Sequence, residues 1–390
     1  MPDFPLPLPH DIVIDILLRL PAKSLGRFKS VSKFWLSLIS SADFIKSHVH
    51  RAVSDTNTNH TRVVMRSTHS LHSVNFESPS CYKDIDDDDH DYDYGYGYGY
   101  DYDDDTKDII SLNDPSQTEK EMVAEKGWGS CYGLVCFLCY NGCIALWNPT
   151  TQKTRFTPRP LTPFRNGSQF YGLGYDFSIN DYKLVRCFQS DYSYPITSEV
   201  FNLKTGSWRT VPPPRITSPV WTAIHEPDAI GSFSNGAIHW IRKHKPVNSE
   251  KRETTILTFD IKNEVFSEIL LPNGGKSEQR GFFSLGDLKG CLYAVYEGYF
   301  GVDMDVWVMK EYGVESSWSK VIKLDWTRFS CSYYMDPVCF THDGNVVVRL
   351  DETRVVIYNL KEDTIKKFKK ERSGCLDWVV YTESLVSPYG

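Results

Sequence analysis

The amino-acid sequence predicts a mainly β protein that carries a small α-helical domain at its N-terminus. Two patterns support this fold class. Within residues 1–50 the apolar side chains recur at helical spacing, whereas beyond residue 127 a strand–turn–strand unit returns five times. The aromatic content of 14% fits sheets that pack large side chains between them. A chain of 390 residues is long enough for one large β-domain and one small helical domain.

The N-terminal stretch contains an apolar series that predicts a first helix, namely Ile12, Val13, Ile16, Leu17 and Leu20. Pro9 precedes this helix and Pro21 ends it. A second apolar series extends to Leu38 with a break expected near Ser30, and a third short helix begins near Ser41. So small a domain cannot bury all of these side chains internally. Either a partner protein or the chain's own β-domain must therefore cover them, and the pattern leaves both open.

The order of the motifs in this stretch resembles an F-box over nearly all of residues 4–48. The motifs are Leu8-Pro9, Ile16-Leu17, Arg19-Leu20-Pro21, Lys23-Ser24-Leu25, Arg27-Phe28-Lys29, Val31-Ser32-Lys33 and Trp35. This resemblance implies binding to the adaptor Skp1, which joins F-box proteins to the cullin and RING subunits of a ubiquitin ligase. The positions that it places on the Skp1-facing side are Leu8, Pro9, Ile12, Ile16, Leu17, Leu20, Pro21, Leu25, Phe28, Val31 and Trp35. Phe34 and Leu36 depart from the pattern, because polar residues are more usual there, and they are expected either to add contacts or to pack on the β-domain.

The composition argues against a secreted or membrane-inserted protein. The sequence contains no run of eighteen apolar residues, and acidic residues interrupt the basic-then-apolar order of a signal peptide. We therefore expect a cytoplasmic and/or nuclear protein whose ten cysteines are reduced and mostly buried. Cys136, Cys139 and Cys143 are close enough in sequence to suggest a metal site. No second pair or neighbouring histidine completes a zinc set, so we expect neither a metal nor a cofactor.

An acidic segment interrupts the β-domain near its start. Residues 84–105 contain eleven aspartates and no Lys or Arg, and without them the formal net charge of −7 becomes +4. So much charge and glycine opposes a packed core, so we expect a disordered insert at about 78–120. Weak Ca²⁺ binding and attraction of a basic client both stay open, although no EF-hand spacing is present. The mildly basic remainder gives no sign of a nucleic-acid site. The polar residues 51–60 are expected to form a linker.

The repeated unit of the β-domain has two halves. One half is a turn glycine followed by an apolar strand, at Gly133, Gly236, Gly290 and Gly344. The other half is a strand, a turn and a return strand, in segments that begin at 144, 198, 256, 306 and 355. Their interval of roughly fifty residues suits one four-stranded blade of a kelch-like β-propeller. Strands near 61–77 and 377–388 are expected to share a closing blade, which favours six blades and leaves five or seven open.

Further motifs resemble the plant F-box-associated (type 1) domain from about residue 128 to 387. They are Trp147-Asn148-Pro149-Thr150-Thr151, Gly172-Leu173-Gly174-Tyr175-Asp176, Asp181-Tyr182-Lys183-Leu184-Val185, Val306-Trp307-Val308-Met309-Lys310-Glu311-Tyr312, Ser317-Trp318 and Glu383-Ser384-Leu385-Val386. The chain is in this respect similar to the plant F-box/kelch-repeat group, which includes S-locus F-box proteins and F-box regulators of immune receptors. We therefore expect an F-box at 1–50 and a β-propeller at 61–388. The acidic segment is not part of the family pattern.

Catalytic chemistry finds no support in the sequence. No nucleophile elbow, phosphate-binding glycine loop or HExxH motif is present. His239 stands in a predicted strand and is interpreted as a structural histidine. The tryptophans that recur in the repeats are interpreted as core residues, namely Trp147, Trp208, Trp240, Trp307 and Trp318. We therefore expect a non-catalytic adaptor.

The function that these observations favour is the substrate-recognition subunit of a Skp1–cullin–F-box ubiquitin ligase. The helical domain would bind Skp1, and the propeller would hold a client protein close to the ubiquitin-charged partner. The loops at 163–169, 215–229 and 243–253 are candidates for client binding because they are long and rich in polar or proline residues. A protein-binding scaffold outside any ligase is the alternative, and a propeller enzyme is a third hypothesis. The sequence does not identify the client.

Overall fold

The computed structural model describes most of the chain. Its described residues are 9–54, 60–67, 71–84, 108–113, 124–139, 142–162, 168–189, 196–214, 229–244, 253–272, 281–297, 303–325, 329, 335–341, 343–350, 354–368 and 375–390. They divide into two compact units. The first unit comprises Met1–His60, Pro115–Trp326 and Tyr381–Gly390, and the second comprises Thr61–Asp114 and Thr327–Val380.

The N-terminal domain, in the first unit, has four helices among its described residues: α1 (His10–Leu18), α2 (Ala22–Phe28), α3 (Lys33–Ser40) and α4 (Ala42–Ser54). Pro9 and Pro21 stand immediately before α1 and α2, where a helix does not need an N–H donor. Ser32 caps α3, because its Oγ accepts the backbone N–H of Trp35 at 3.1 Å. The break predicted near Ser30 is therefore confirmed.

The fourth helix is longer than the sequence pattern predicts. It extends to Ser54, so the linker predicted at 51–60 is wrong in its first part. The extension has a packing reason, because Val49 and Ala52 are buried on the inner side of α4. His60, at the other end of the predicted linker, is also buried.

The described part of the chain beyond residue 60 contains twenty-five strands, which confirms the mainly β fold. In chain order they are β1 (Thr61–Ser67), β2 (Leu71–Val74), β3 (Tyr82–Asp84), β4 (Ile109–Leu112), β5 (Ala124–Cys131), β6 (Leu134–Cys139), β7 (Ile144–Asn148), β8 (Lys153–Phe156), β9 (Ser168–Asp176), β10 (Asp181–Gln189), β11 (Thr197–Asn202), β12 (Ser207–Val211), β13 (Ala229–Ser234), β14 (Ala237–His244), β15 (Glu253–Asp260), β16 (Val265–Leu270), β17 (Gly281–Leu288), β18 (Cys291–Glu297), β19 (Asp303–Met309), β20 (Trp318–Asp325), β21 (Met335–Phe340), β22 (Val346–Leu350), β23 (Arg354–Asn359), β24 (Thr364–Phe368) and β25 (Cys375–Thr382).

In the first unit the strands form antiparallel groups of four that are consecutive in sequence. These groups are β5–β8, β9–β12, β13–β16 and β17–β20. The two middle groups join into one eight-stranded sheet, because β9 and β13 pair in parallel from Ala229 opposite Phe170 to Gly231 opposite Gly172. Gly172 also leaves room for the side chain of Ile238 on β14, because a Cβ there would lie 2.5 Å from the Cγ2 atom of Ile238.

The second unit holds two further groups. One sheet has the strand order β25–β1–β2–β4, and the other has the order β21–β22–β23–β24–β3. The last strand of the chain thus lies beside the first, which confirms the shared closing blade predicted from the segments at 61–77 and 377–388. Taken one unit at a time, the described strands form four groups of four in the first unit, and one group of four and one of five in the second. The number of blades stays a prediction.

The acidic insert is shorter than the predicted range 78–120. β3 pairs with the edge of β24, and β4 pairs with the edge of β2, so both flanks of that range contain strands. Cys81 and Tyr82 are buried beside the first flank. Local apolar residues therefore override the neighbouring charge near both ends of the segment. Residues 85–107, with most of the aspartates, lie outside the described residues.

Tight turns connect the strands as the repeat predicts. The four turn glycines Gly133, Gly236, Gly290 and Gly344 have φ angles of +85°, +76°, +80° and +86°. Such φ angles favour glycine, because it has no Cβ to clash with the backbone. The predicted segment starts at 144, 198, 256, 306 and 355 fall within three residues of the first residues of β7, β11, β15, β19 and β23.

The recurring tryptophans join neighbouring groups. Trp147, Trp208, Trp240 and Trp318 are buried, as predicted, whereas Trp307 is half-buried. Three indole N–H groups donate to backbone carbonyls of the preceding group: Trp208 to Pro158 at 2.8 Å, Trp240 to Tyr171 at 3.1 Å and Trp318 to Leu270 at 3.0 Å. Each of these residues therefore contributes both apolar area and a hydrogen bond to the packing between groups.

Candidate partner-binding surface of the helical domain

The helical domain has a small core of its own. Its buried members are Val13, Leu17, Ala22, Leu25, Ile39 and Phe44, together with Leu385 from the C-terminal segment. Half-buried apolar residues surround them, namely Ile14, Leu18, Leu20, Phe28, Trp35, Leu38 and Ile45. The rings of Phe28 and Trp35 meet edge to face with centroids 5.4 Å apart. This core fixes the four helices relative to one another.

Six large apolar residues of the same domain are exposed; one is Val53 on α4, and the other five lie between the start of α1 and the end of α3. These five are Ile12, Ile16, Val31, Phe34 and Leu36, each with 42% to 63% of its surface accessible. The first two lie one turn apart on α1, and the last two lie on α3. His10 at the start of α1 meets the ring of Phe34 edge to face at 5.7 Å between centroids, so the two helices present neighbouring sides. We call these five residues together the exposed apolar surface; Phe34 and Leu36, two positions apart on α3, point to different sides of that helix.

The structure divides the residues predicted to face Skp1 into distinct environments. The exposed ones are Pro9, Ile12, Ile16, Pro21 and Val31. The half-buried ones are Leu20, Phe28 and Trp35. Leu17 and Leu25 are 1% and 0% exposed, which corrects their placement on the partner-facing side: both are core residues of the helical domain. Leu8 lies outside the described residues.

The helical repeat explains this division. Successive residues of an α-helix are about 100° apart, so Ile16 and Leu17 cannot face the same side. The motif Ile16-Leu17 thus supplies one residue to the surface and one to the core. Phe34 and Leu36, for which the sequence left open contact with a partner or with the β-domain, are both exposed, and no described residue of the chain covers them.

Charged residues tie α1 to α4 beside this surface. Asp15 accepts hydrogen bonds from Arg51 at 2.7 Å and from Arg19 at 2.8 Å. These hydrogen bonds, first of all the one from Arg51, hold the pKa of Asp15 below its ordinary value. All three side chains are partly exposed, so the pairs orient the helices more than they stabilise them.

A buried histidine connects α4 to the end of α1. The Nε2 atom of His48 lies 2.8 Å from the carbonyl oxygen of Leu20, so this nitrogen carries the proton that the carbonyl accepts. The ring stacks on Phe44 and meets His60 edge to face. Burial lowers the pKa of His48 below its ordinary value, which keeps the ring neutral near pH 7.

The inner side of the helical domain packs on the chain's own β-domain. Leu385 completes the helical core, and His50 on α4 meets the ring of Phe177, in the β9–β10 turn, at 6.1 Å between centroids. The sequence left open whether a partner or the β-domain covers the apolar helices. Among the described residues, the β-domain covers one side of them and not the other. Within the described ranges, the chain covers the inner side and leaves the exposed apolar surface uncovered. Sequence reasoning missed Leu385, although its motif Glu383-Ser384-Leu385-Val386 was a detectable signal.

His239 of β14 has a structural environment, as predicted. It is buried, its Nδ1 lies 3.1 Å from the carbonyl oxygen of Ser232, and its Nε2 lies 2.8 Å from the hydroxyl of Tyr312. Nδ1 must donate to the carbonyl, so Nε2 accepts the hydroxyl proton. Burial lowers the pKa of His239 to about 4.

The cysteines considered for metal binding are buried. Cys136, Cys139 and Cys143 lie in or beside β6, and burial raises the pKa of Cys136 to about 12, so its thiol stays protonated. Across the described ranges no group of three or more His, Cys, Asp or Glu side chains is arranged to hold a metal ion. A search of the helices in the same ranges finds none that is long and apolar enough to cross a membrane.

The loops proposed for client binding lie largely outside the described residues, which omit 163–167, 215–228 and 245–252. Their role therefore stays a prediction, and the same holds for the role of the acidic segment.

Comparison with known families fits this architecture. Residues 6–47 match the F-box domain, and residues 62–388 match the F-box associated beta propeller domain. The chain belongs to this F-box family. Its helical domain is thus an F-box, and its four-stranded groups are blades of a β-propeller, as the sequence predicts.

Relatives of this F-box protein match it over most of their length. It is 31% identical over 394 residues to F-box/kelch-repeat protein At3g23880 of Arabidopsis thaliana, covering 98% of this chain and 96% of the relative. It is 29% identical over 379 residues to F-box protein CPR1 of the same organism, covering 91% and 82%. The resemblance to plant F-box/kelch-repeat proteins is therefore confirmed.

Proposed function

We propose that this F-box protein is the substrate-recognition subunit of a Skp1–cullin–F-box ubiquitin ligase. The observation that carries the proposal is the exposed apolar surface, which lies on the F-box and which the described part of the chain leaves uncovered. A Skp1-type adaptor binds this surface and thereby recruits the cullin and RING subunits. The propeller binds a client protein for ubiquitination.

The chemistry of the exposed apolar surface suits a protein partner. Complete burial of a side chain such as Ile16 or Phe34 contributes roughly 1.5–3 kcal/mol. Five such residues together supply enough apolar area to offset the entropy lost on association. The half-buried residues Leu20, Phe28 and Trp35 extend the contact at its edge. The buried residues Leu17 and Leu25 hold the helices that present the surface.

This chain contributes proximity, and its partners carry out the transfer of ubiquitin. Holding the client beside the charged partner raises the effective concentration of the reacting groups without any catalytic residue in the receptor. Loops 163–169, 215–229 and 243–253 are the proposed client contacts. The cytoplasm and/or the nucleus, where the thiols stay reduced, is the proposed compartment.

A Skp1 capture experiment with a surface variant tests the proposal. The double variant Ile16→Asp, Val31→Asp introduces two charges at residues that are 46% and 63% exposed, so the fold should persist. We expect the wild-type chain to capture Skp1 and the double variant to lose capture. The matched control is Val265→Asp on β16, which is 57% exposed on a propeller blade and should leave capture unchanged.

Two results would remove the receptor assignment. One is equal capture by the wild type and the double variant, and the other is no capture by a folded wild-type chain. Both would favour the scaffold hypothesis. Leu20→Asp and Trp35→Asp are poorer tests, because both residues are half-buried against the helical core and their loss of capture could come from unfolding.

A further inference from the structure

Two sequence motifs far apart in the chain meet in the first unit. Asn148 at the end of β7 donates through Nδ2 to the backbone oxygens of Ser384 at 3.1 Å and Val386 at 2.7 Å, and to the Ser384 hydroxyl at 3.2 Å. The Oδ1 atom of Asn148 accepts the backbone N–H of Thr150 at 2.8 Å. Asn148 and Ser384 are both 0% exposed. A buried amide with these partners is costly to disrupt, because its polar atoms would remain without water.

The residue next to this contact belongs to a different core. Leu385 is 8% exposed and packs with Val13, Leu17 and Leu25 in the core of the F-box. Ser384 is thus held on the blade formed by β5–β8, while its neighbour Leu385 is held by the helices. One short segment therefore joins the two parts of the first unit.

Contacts on both sides hold the same segment. The backbone N–H of Glu383 donates to the carbonyl oxygen of His60 at 2.8 Å, just beyond the F-box. The hydroxyl of Tyr389 donates to the carbonyl oxygen of Thr154 on β8 at 2.7 Å. Gly133 in the β5–β6 turn leaves the space that Ser384 occupies, because a Cβ there would lie 1.9 Å from the Ser384 Oγ atom.

We propose that residues 383–389 form a C-terminal strap that fixes the F-box on the blade β5–β8. The strap sets the direction in which the exposed apolar surface faces relative to that blade. The inference deepens the proposed function and rests on it for its biological meaning, since a receptor must hold its client at a defined distance from the ligase. The contacts that carry it do not involve Skp1.

A distance measurement on the full chain tests the strap. Spin labels are attached through encoded amino acids at Lys33 on α3 and Lys262 in the β15–β16 turn, both exposed. The wild-type chain should give one narrow distance distribution. Gly133→Ala should broaden it, because the added methyl group displaces Ser384. The matched control is Gly236→Ala, which has a similar positive φ but meets no atom within 4 Å, and it should leave the distribution narrow.

A second variant keeps the test decisive if Gly133→Ala fails to fold. Leu385 lies outside the strands, and Leu385→Ala removes its apolar contact with the helices. This variant should also broaden the distance distribution. Leu385→Met keeps an apolar side chain of similar size and should give a distribution as narrow as that of the wild-type chain. A narrow distance distribution in both Gly133→Ala and Leu385→Ala would overturn the proposal. Equal broadening in Gly236→Ala would overturn it as well. Skp1 capture by the wild-type chain reports on the proposed function separately, because a failed capture leaves the distance measurement unaffected.

Discussion

The F-box and the propeller blades bury their apolar residues to different extents. Six large apolar residues are exposed within residues 9–54, whereas nine are spread over the much longer described part beyond residue 60. Within the first unit the blades share apolar clusters with their neighbours, so much of their apolar surface is covered by the chain itself. Four short helices enclose too little volume to do the same. The small domain therefore keeps an apolar surface that a partner can bind. In the large domain, buried apolar residues contribute instead to the free energy of unfolding.

This difference shows that apolar residues next to each other in the sequence can have different roles, one in the core and the other at an exposed surface. Leu17 belongs to the core of the F-box and Ile16 belongs to its surface, although both stand in one motif. Substitutions should therefore separate into those that lower the free energy of unfolding and those that lower partner affinity.

The largest effect is expected at the contact between two neighbouring blades. Trp240→Ala removes a side chain that is 2% exposed and the indole donor to the Tyr171 carbonyl. We expect the free energy of unfolding to fall by about 3–5 kcal/mol, measured by urea denaturation followed by circular dichroism. Val265→Ala, at a residue 57% exposed, is the control and should change it by about 0.5 kcal/mol or less. Equal losses in the two variants would contradict the packing described here.

The next prediction compares substitutions on the buried and the exposed side of α1. Leu17→Ala should cost about 2–5 kcal/mol, because it leaves a cavity in the F-box core. Ile16→Ala should leave the free energy of unfolding within about 0.5 kcal/mol and should weaken Skp1 capture. Hydrogen exchange of the α1–α4 amides measures the first effect, and a binding titration measures the second. The assignment of the two sides would be reversed if Ile16→Ala raised exchange more than Leu17→Ala.

A pH effect of similar size is expected in the propeller. The pKa of His239 is lowered from 6.5 to about 4 in the folded chain, so the unfolded chain binds a proton more readily between these values. The contribution of neutral His239 to the free energy of unfolding is fully present above about pH 6.5. It should fall by roughly 3 kcal/mol as the pH decreases to about 4. Urea denaturation at several pH values measures this loss. His239→Asn should flatten the dependence in that interval, and an unchanged slope would show that another group is responsible.

The smallest effect concerns the cap of the helix that carries Phe34 and Leu36. Ser32→Ala removes the hydroxyl that accepts the Trp35 N–H. We expect a loss of about 1 kcal/mol in the stability of the F-box, measured by thermal unfolding. Ser37→Ala, at an exposed position within α3, is the control and should have no destabilising effect. A loss in Ser37→Ala as large as that in Ser32→Ala would exclude capping as the cause.

Local patterns account for what the sequence predicts well. The helices before and after Ser30, the turn glycines such as Gly133 and the segment starts from 144 to 355 depend on residues close together in the chain. The limits of the linker and of the acidic insert were wrong because burial of Ala52 and Tyr82 outweighs the polar or charged composition around them.

The sequence by itself determined the class of the protein: an F-box followed by repeated four-stranded units, with the residues from which a partner surface could be built. Only the tertiary structure decided which of those residues face outward. It also decided that Asn148 on one side and the F-box core around Leu385 on the other hold one C-terminal segment. The physical reason is that these contacts join residues more than two hundred positions apart, and such contacts exist only after the chain has folded back on itself.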